Sequence, residues 1–257
     1  MNKKRYLIRI FIIFTFICMF SVINFVQTVD AGFDGIVSND IDGLIEFEGE
    51  NKAANDWAEN KYKEWHNLLT SEEEEALKNY TDENYIELNK YLRSTKGNLS
   101  NELLKETQNE SINMIDRALK KTETGTPIMV YRRVTGGELG IKFEDGSLYD
   151  VQEGNKINRE KFSYLSKKLK GMIKTEYGYL STSLSNVFGP EHSKRPIIIK
   201  IKLPEGINAA YLGSLSKWPE ENEMLVARGF TYKVEGISII VDKGKEYIQL
   251  NAKGILK

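Results

Sequence analysis

Thiol chemistry is the first thing this sequence lacks. Its one cysteine, Cys18, lies in an N-terminal apolar run that reads as a cleaved leader. A mature chain without a thiol excludes disulfides, cysteine nucleophiles and cysteine metal ligands. Ile17 precedes Cys18 where a lipoprotein would carry a small residue. Histidine is scarce too: His66 and His192 are the only two, too few for a His-rich zinc site. A Ser–His–Asp triad would have to use one of them, with no GxSxG elbow nearby. His66 stands beside Trp65 on an amphipathic stretch and reads as a packed or surface residue. Neither GxxxxGK[ST] nor GxGxxG occurs, so the usual nucleotide loops are missing. Proline is sparse, and no repeat or low-complexity linker interrupts the chain.

The leader itself has a basic start (Lys3, Lys4, Arg5, Arg9), an apolar run to about Val26 and small residues at Ala31-Gly32. That layout predicts a signal peptide over residues 1–31. A retained membrane anchor is the alternative, since the run is long enough to reach across a bilayer. Cleavage removes four basic residues and Asp30, leaving a mild acidic excess that speaks against nucleic acid as a partner. It also predicts a secreted chain with no stable membrane association. Residues 32–50 read as a short extension, and 51–257 suffice for one domain with a full core.

From Asn51 to about Thr122 the periodicity is helical. Ala54, Trp57, Ala58, Tyr62, Trp65, Leu68 and Leu69 form one apolar stripe. Thr70 with Glu73, or Ser71 with Glu74, predicts a capping box. The run Glu72 to Glu75 then sits at the positive end of a helix dipole, which is helix-start chemistry rather than a metal site. A third helix carries Tyr85, Leu88, Tyr91 and Leu92 and ends at Gly97. A fourth spans Asn101 to Lys121, with Leu104, Ile112, Ile115 and Leu119 expected inward. After Thr126-Pro127 the chain becomes β-rich: "IMVYRRV", "RPIIIKIKL", "NAAYL", "EMLVARG", "FTYKVEGISIIV" and "EYIQLNAKGIL". One helix, about Arg159 to Met172, interrupts them. Helices first and strands afterwards predict an α+β domain with a largely antiparallel core.

Three features of the strand half carry chemistry together. Arg132 in "VYRR" presents a guanidinium from a strand, suited to gripping a phosphate or diphosphate. By itself it also fits a surface residue. "LSTSLS", with Ser181, Thr182 and Ser183, alternates hydroxyls with an apolar frame, although a Ser/Thr edge strand looks the same. "WPEENEML" places Glu220, Glu221 and Glu223 within four residues. Residues i and i+2 of a strand share a face, so Glu221 and Glu223 are expected side by side, with Asn222 turned away. Two like charges held together need a cationic partner or a task, unless the stretch is a plain acidic turn.

The order arginine, STS, ExE resembles the mono-ADP-ribosyltransferase toxins of the arginine–serine–glutamate class. That class includes the iota-toxin enzymatic component and the Rho-modifying exoenzymes. The resemblance runs from about Asn51 to the C-terminus and takes in "YLSTS", "RPIIIKIKLP" and the aromatic before ExE. It implies the ADP-ribosyltransferase fold, with N-terminal helices packed on a mainly antiparallel two-sheet β core. It implies NAD as substrate, no metal, and a protein acceptor in a host cell's cytosol, the alternatives being an NAD glycohydrolase without a protein acceptor or an inactive binding module with the same fold. Arg132 then matches the diphosphate-holding arginine, and Ser181 the serine that supports the catalytic glutamate. Glu223 matches that glutamate, which binds the nicotinamide ribose and stabilises its oxocarbenium ion. Glu221 matches the residue facing the acceptor. The Rho-modifying relatives carry Gln there and modify asparagine, so Glu221 implies an arginine, with actin the leading acceptor. Trp218 matches an aromatic that contacts the protein substrate, and Arg195 a cationic NAD contact. Tyr80, Tyr85 and Asn89 match NAD-contacting helix positions. His192 stands where some relatives carry a stacking aromatic, leaving Phe188 as a substitute for the nicotinamide. The extra lobe by which binary-toxin enzymes dock to a carrier has no counterpart in the short extension, so the carrier is unknown.

Overall fold

The computed structural model describes residues 43–142, 144–189 and 194–256. The leader with Cys18, and His192, lie outside the described residues. The first helix, α1 (Asn51–Leu68), buries the stripe Ala54, Ala58, Tyr62 and Trp65. The Trp65 indole donates to the Ala118 carbonyl at 2.8 Å, tying α1 to a later helix. Leu68, expected inward, is exposed at the helix end, where its carbonyl accepts from Lys121 Nζ. The second helix, α2 (Ser71–Asn79), begins with the capping box from Thr70 and Glu73. The buried Glu73 side chain also pairs with Lys121 at 2.6 Å, which explains its tolerated burial.

One π-helical turn, Tyr80–Asn84, joins α2 to α3 (Tyr85–Ser94). Such wide turns inside helical runs commonly accompany functional sites. Gly97, with φ of +82°, closes α3 by donating its N–H to the Leu92 carbonyl. The next helix, α4 (Glu106–Lys120), starts later than its periodicity predicts. Leu104 therefore falls in the preceding 3-10 turn, 91 % exposed, and does not face inward. The fifth helix, α5 (Arg159–Leu169), interrupts the strands as expected, with the Asn158 side chain as its N-cap.

The strands are β1 (Ile128–Val134), β2 (Ile173–Glu176), β3 (Leu180–Ser183), β4 (Ile197–Leu203), β5 (Ala209–Tyr211), β6 (Glu223–Val226), β7 (Phe230–Asp242) and β8 (Lys245–Ile255). Among the described residues they run in the order β2-β7-β8-β4-β1-β3-β6-β5. The β4–β8 pair is parallel, and the other pairings are antiparallel. Hydrogen bonding thus links the expected two sheets into one. The join is narrow, because β1 and β3 share the single residue pair Tyr131–Ser183.

One edge of β1 is occupied along its length by β4. At the start of the other edge, Ile45 exchanges backbone bonds with Pro127 and Met129, at 3.0 and 2.8 Å. Residues 44–50 therefore act as a strap beside the narrow join, anchored by buried Leu44 and Phe47.

Candidate functional site

Side chains alternate across a strand, so the neighbouring arginines of β1 go to opposite faces. Arg133 is buried against the Tyr247 and Phe188 rings, 4.2 and 5.0 Å from their centroids, with Nη2 on Asp242 at 3.3 Å. Phe188 is therefore engaged behind the sheet with Tyr131, Ile198 and Tyr247. That corrects its assignment as a nicotinamide-stacking substitute.

Arg132 points the other way. Its Nη1 donates to the Ser181 carbonyl at 2.8 Å, and its Nη2 pairs with Glu138 at 2.8 Å. Burial works against the Arg132 charge, but the Glu138 carboxylate keeps the guanidinium firmly protonated. Burial likewise opposes ionisation of Glu138, and the Arg132 guanidinium holds that carboxyl below its ordinary range. Arg195 lies close enough for its charge to add to that effect, and its Nη1 donates to the Arg133 carbonyl at 3.3 Å.

Antiparallel pairing of β3 with β6 sets Ser183 opposite Glu223 and Ser181 opposite Leu225. Ser181 is then the diagonal same-face neighbour of Glu223. Its hydroxyl faces the Glu223 carboxylate and favours its charge, and Ser216 Oγ donates to Glu223 Oε2 at 3.1 Å. Ser181 thus holds the arginine through its carbonyl and turns its hydroxyl toward the glutamate. Ser183, on the same face, donates to the Glu221 carbonyl at 2.7 Å, while Thr182 turns to the other side and donates to Met224.

Glu223 is a buried carboxylate, 7 % exposed. Burial pushes its pKa up; Ser181 and Ser216 oppose the rise, Glu221 adds to it, and Arg132 opposes it. The outcome is a carboxyl above its ordinary range, a common feature of functional sites.

The relation between the two glutamates differs from the sequence expectation. Glu221 is not on the strand: it ends a 3-10 turn, Pro219–Glu221, and β6 starts at Glu223. Asn222 between them has φ of +49° and is buried, so it turns inward rather than away. A left-handed residue, not strand alternation, sets the two carboxylates.

Tyr80 and Asn89 close the helical wall. Tyr80 is buried, and burial together with the charge of Glu223 raises its phenol. Asn89 Nδ2 donates to the Tyr80 oxygen at 2.9 Å, and its Oδ1 accepts from the Tyr179 N–H at 2.8 Å. A Cβ at Gly178 would meet that Oδ1 at 2.4 Å, so this position requires glycine for space. Tyr85 is half-exposed, edge-on to Tyr80. Trp218, 52 % exposed, rides on the 3-10 turn, and its N–H donates to Ser216 Oγ at 3.2 Å.

Several residues escaped the sequence reading. Ser216 connects Glu223 to the Trp218 turn. Glu138 pairs with Arg132. Arg93, one helical turn after Asn89, pairs with Glu176 at 2.8 Å. The charges of Arg93 and Arg132 are both felt at Tyr80. Lys174, whose ammonium is destabilised by burial, donates to the Glu138 carbonyl at 2.5 Å. The i, i+4 spacing of Asn89 and Arg93 was the available signal. Glu138 and Ser216 lie in short turns whose positions only the fold supplies.

The arrangement presents cationic guanidiniums beside a buried carboxylate hydrogen-bonded by Ser216 and a second carboxylate on an exposed turn. It can hold a diphosphate and stabilise positive charge next to it. A family model described as ADP-ribosyltransferase exoenzyme matches residues 54–257. The chain is 33 % identical over 183 residues to mono-ADP-ribosyltransferase C3 of Hathewaya limosa, covering 71 % of this chain and 69 % of that one. It is 27 % identical over 181 residues to NAD(+)–arginine ADP-ribosyltransferase EFV of Enterococcus faecalis, covering 69 % of this chain and 31 % of the relative. Among solved structures, Plx2a, an ADP-ribosyltransferase toxin from Paenibacillus larvae, superposes with a TM-score of 0.72 at 33 % identity. It covers 82 % of this chain and 100 % of its own.

Proposed function

The chain belongs to the ADP-ribosyltransferase exoenzyme family, and from that membership we propose that it is a secreted toxin transferring ADP-ribose from NAD to an arginine of a host protein. The observation that carries this reading is the chain Arg132–Ser181–Glu223. A single serine fixes the distance between a diphosphate-binding cation and a carboxylate placed for the adjacent ribose.

In this mechanism Arg132, with Arg93 and Arg195 in support, holds the NAD diphosphate. Tyr80 and Asn89 shape the wall beside it, with Tyr85 at its exposed rim. Glu223 accepts hydrogen bonds from the nicotinamide-ribose hydroxyls. As the C1′–N bond breaks, its electron pair leaves with nicotinamide, which departs neutral. The ribose becomes an oxocarbenium ion, stabilised by the Glu223 carboxylate in a site with little water to screen it. A guanidino nitrogen then bonds to C1′ and loses its proton, with Glu221 orienting the guanidinium and taking the proton. Trp218 on the same turn contacts the acceptor protein. The acceptor we favour is actin, which follows from the ExE resemblance.

The arginine acceptor is supported by Glu221 and by the similarity to a relative named as an arginine transferase. Similarity to the C3 transferase favours a second reading, in which the acceptor side chain differs. Glu221, where Rho-modifying exoenzymes carry Gln, weighs for arginine. Secretion through the leader and action in the host cytosol complete the reading. Mass spectrometry of host-cell protein treated with the enzyme and NAD tests the acceptor. ADP-ribose on arginine is expected; ADP-ribose on asparagine alone would overturn it.

A further inference from the structure

Three non-glycine residues with positive φ occur among the described residues: Lys96, Asn222 and Lys243. The two lysines are exposed, but Asn222 is 3 % exposed. Asparagine is one of the few side chains that adopts the left-handed region at little cost. Here it stands between the two glutamates of the site, and its backbone N–H and carbonyl and its side-chain Nδ2 are all engaged. Its N–H closes the 3-10 turn onto the Pro219 carbonyl at 3.3 Å, and its carbonyl accepts from Leu184 N–H at 3.1 Å. Its Nδ2 donates to the Asn51 carbonyl at 3.2 Å.

Asn51 is the first residue of α1, where the strap beside β1 enters the helix. Its side chain also bonds the Ser185 hydroxyl. Just ahead of it, Gly49 N–H donates to Asn186 Oδ1 at 2.9 Å. The strap therefore grips both chain segments that leave the β3–β6 pair on the side of the glutamates. Strap residues 44–50 and Asn51 lie before the stretch matched by the family model.

The two glutamates are held differently. Glu223 is fixed by strand pairing and by Ser181 and Ser216. The direction of Glu221 relative to it depends on the backbone of Asn222. The geometry points to Asn222, through its left-handed backbone, as a positioning residue that aims Glu221 at the acceptor without setting Glu223. This inference rests on the transferase reading above for the role of Glu221. Asn222 touches neither NAD nor acceptor; it acts through the turn.

The test compares Asn222→Val with Asn222→Gly in the mature chain. Valine is branched at Cβ and rejects a left-handed backbone, whereas glycine accepts it. Protein-linked label and nicotinamide release are measured separately. Misaiming a group by about 1 Å can cost on the order of 100-fold. Asn222→Val should lose transfer on that scale and keep nicotinamide release near wild type, and Asn222→Gly should recover most of the transfer. Equal loss of both activities, or wild-type transfer by Asn222→Val, would overturn the proposal.

A second readout is independent of transfer. Trp218 opens the same turn, and its fluorescence is isolated by difference against Trp218→Phe from that of Trp57 and Trp65. Acrylamide quenching of Trp218 should change in Asn222→Val and return toward wild type in Asn222→Gly. Unchanged quenching in Asn222→Val would overturn the inference. A wild type that never labels protein would instead defeat the transferase reading, and the quenching result would still decide whether Asn222 sets the turn.

Discussion

Glu223 carries a conflict that a single side chain can report. It is buried, which favours the neutral acid, yet the role proposed for it requires the carboxylate. Its folded pKa is raised, so charge is lost as pH falls through a value above the ordinary glutamate range. Nicotinamide release by the wild type should therefore have an acid limb above that range. The Glu221 charge contributes to the rise. Glu221→Gln should move the acid limb of nicotinamide release to lower pH, measured as rate against pH at saturating NAD. A limb that stays in place or moves upward would show that another group controls it. The same sign applies to stability: a carboxyl with a raised folded pKa favours the folded state most where it is protonated, and that contribution fades as pH rises through the folded pKa. At this scale the sequence was informative about identity and less so about geometry. The structure brings together Arg132, Ser181, Glu221 and Glu223, which order and residue type had singled out. The relation of Glu221 to Glu223 was misread, because strand alternation was assumed where a 3-10 turn and a left-handed asparagine intervene.

Among the elements, α3 and the β2–β3 turn meet at Gly178 and through the Arg93–Glu176 pair. Gly178 lets the Asn89 amide reach both the Tyr80 oxygen and the Tyr179 N–H. Gly178→Ala would drive a methyl into that amide, and overpacking of this kind costs about 1–3 kcal/mol. The variant should melt at lower temperature and show a raised KM for NAD, checked by thermal unfolding and steady-state kinetics. An unchanged KM would separate Asn89 and Tyr80 from NAD binding. Helix periodicity located α1 to α4 well where apolar stripes were long, and the Thr70–Glu73 capping box was readable by itself. The start of α4 was not, because Leu103 and Leu104 continue the apolar pattern into a turn that exposes them. Nor could the π turn at Tyr80–Asn84 be seen, since it adds no distinctive residue type. Within it, the Thr81 oxygen accepts from Lys217 N–H at 2.9 Å, just ahead of the turn that carries Glu221.

Across the molecule, the site forms where two groups of strands meet through one residue pair. Arg132 comes from the strand on one side of the join, Ser181 from the strand on the other, and Glu223 from the strand beyond it. The helical wall supplies Tyr80, Asn89 and Arg93. Helices before strands, and a mostly antiparallel sheet, could be read from the pattern; the parallel β4–β8 pair and the narrow join could not, because both depend on long-range pairing. On the proposed function, two neighbouring carboxylates divide one reaction between them. The most direct test incubates wild type, Glu223→Ala and Glu221→Ala with labelled NAD and host-cell lysate, and follows protein-linked label and free nicotinamide together. Glu223→Ala should lose both signals by on the order of 100-fold or more. Glu221→Ala should lose the protein label and keep most nicotinamide release. Equal loss of both signals in Glu221→Ala, or full activity in Glu223→Ala, would contradict the account.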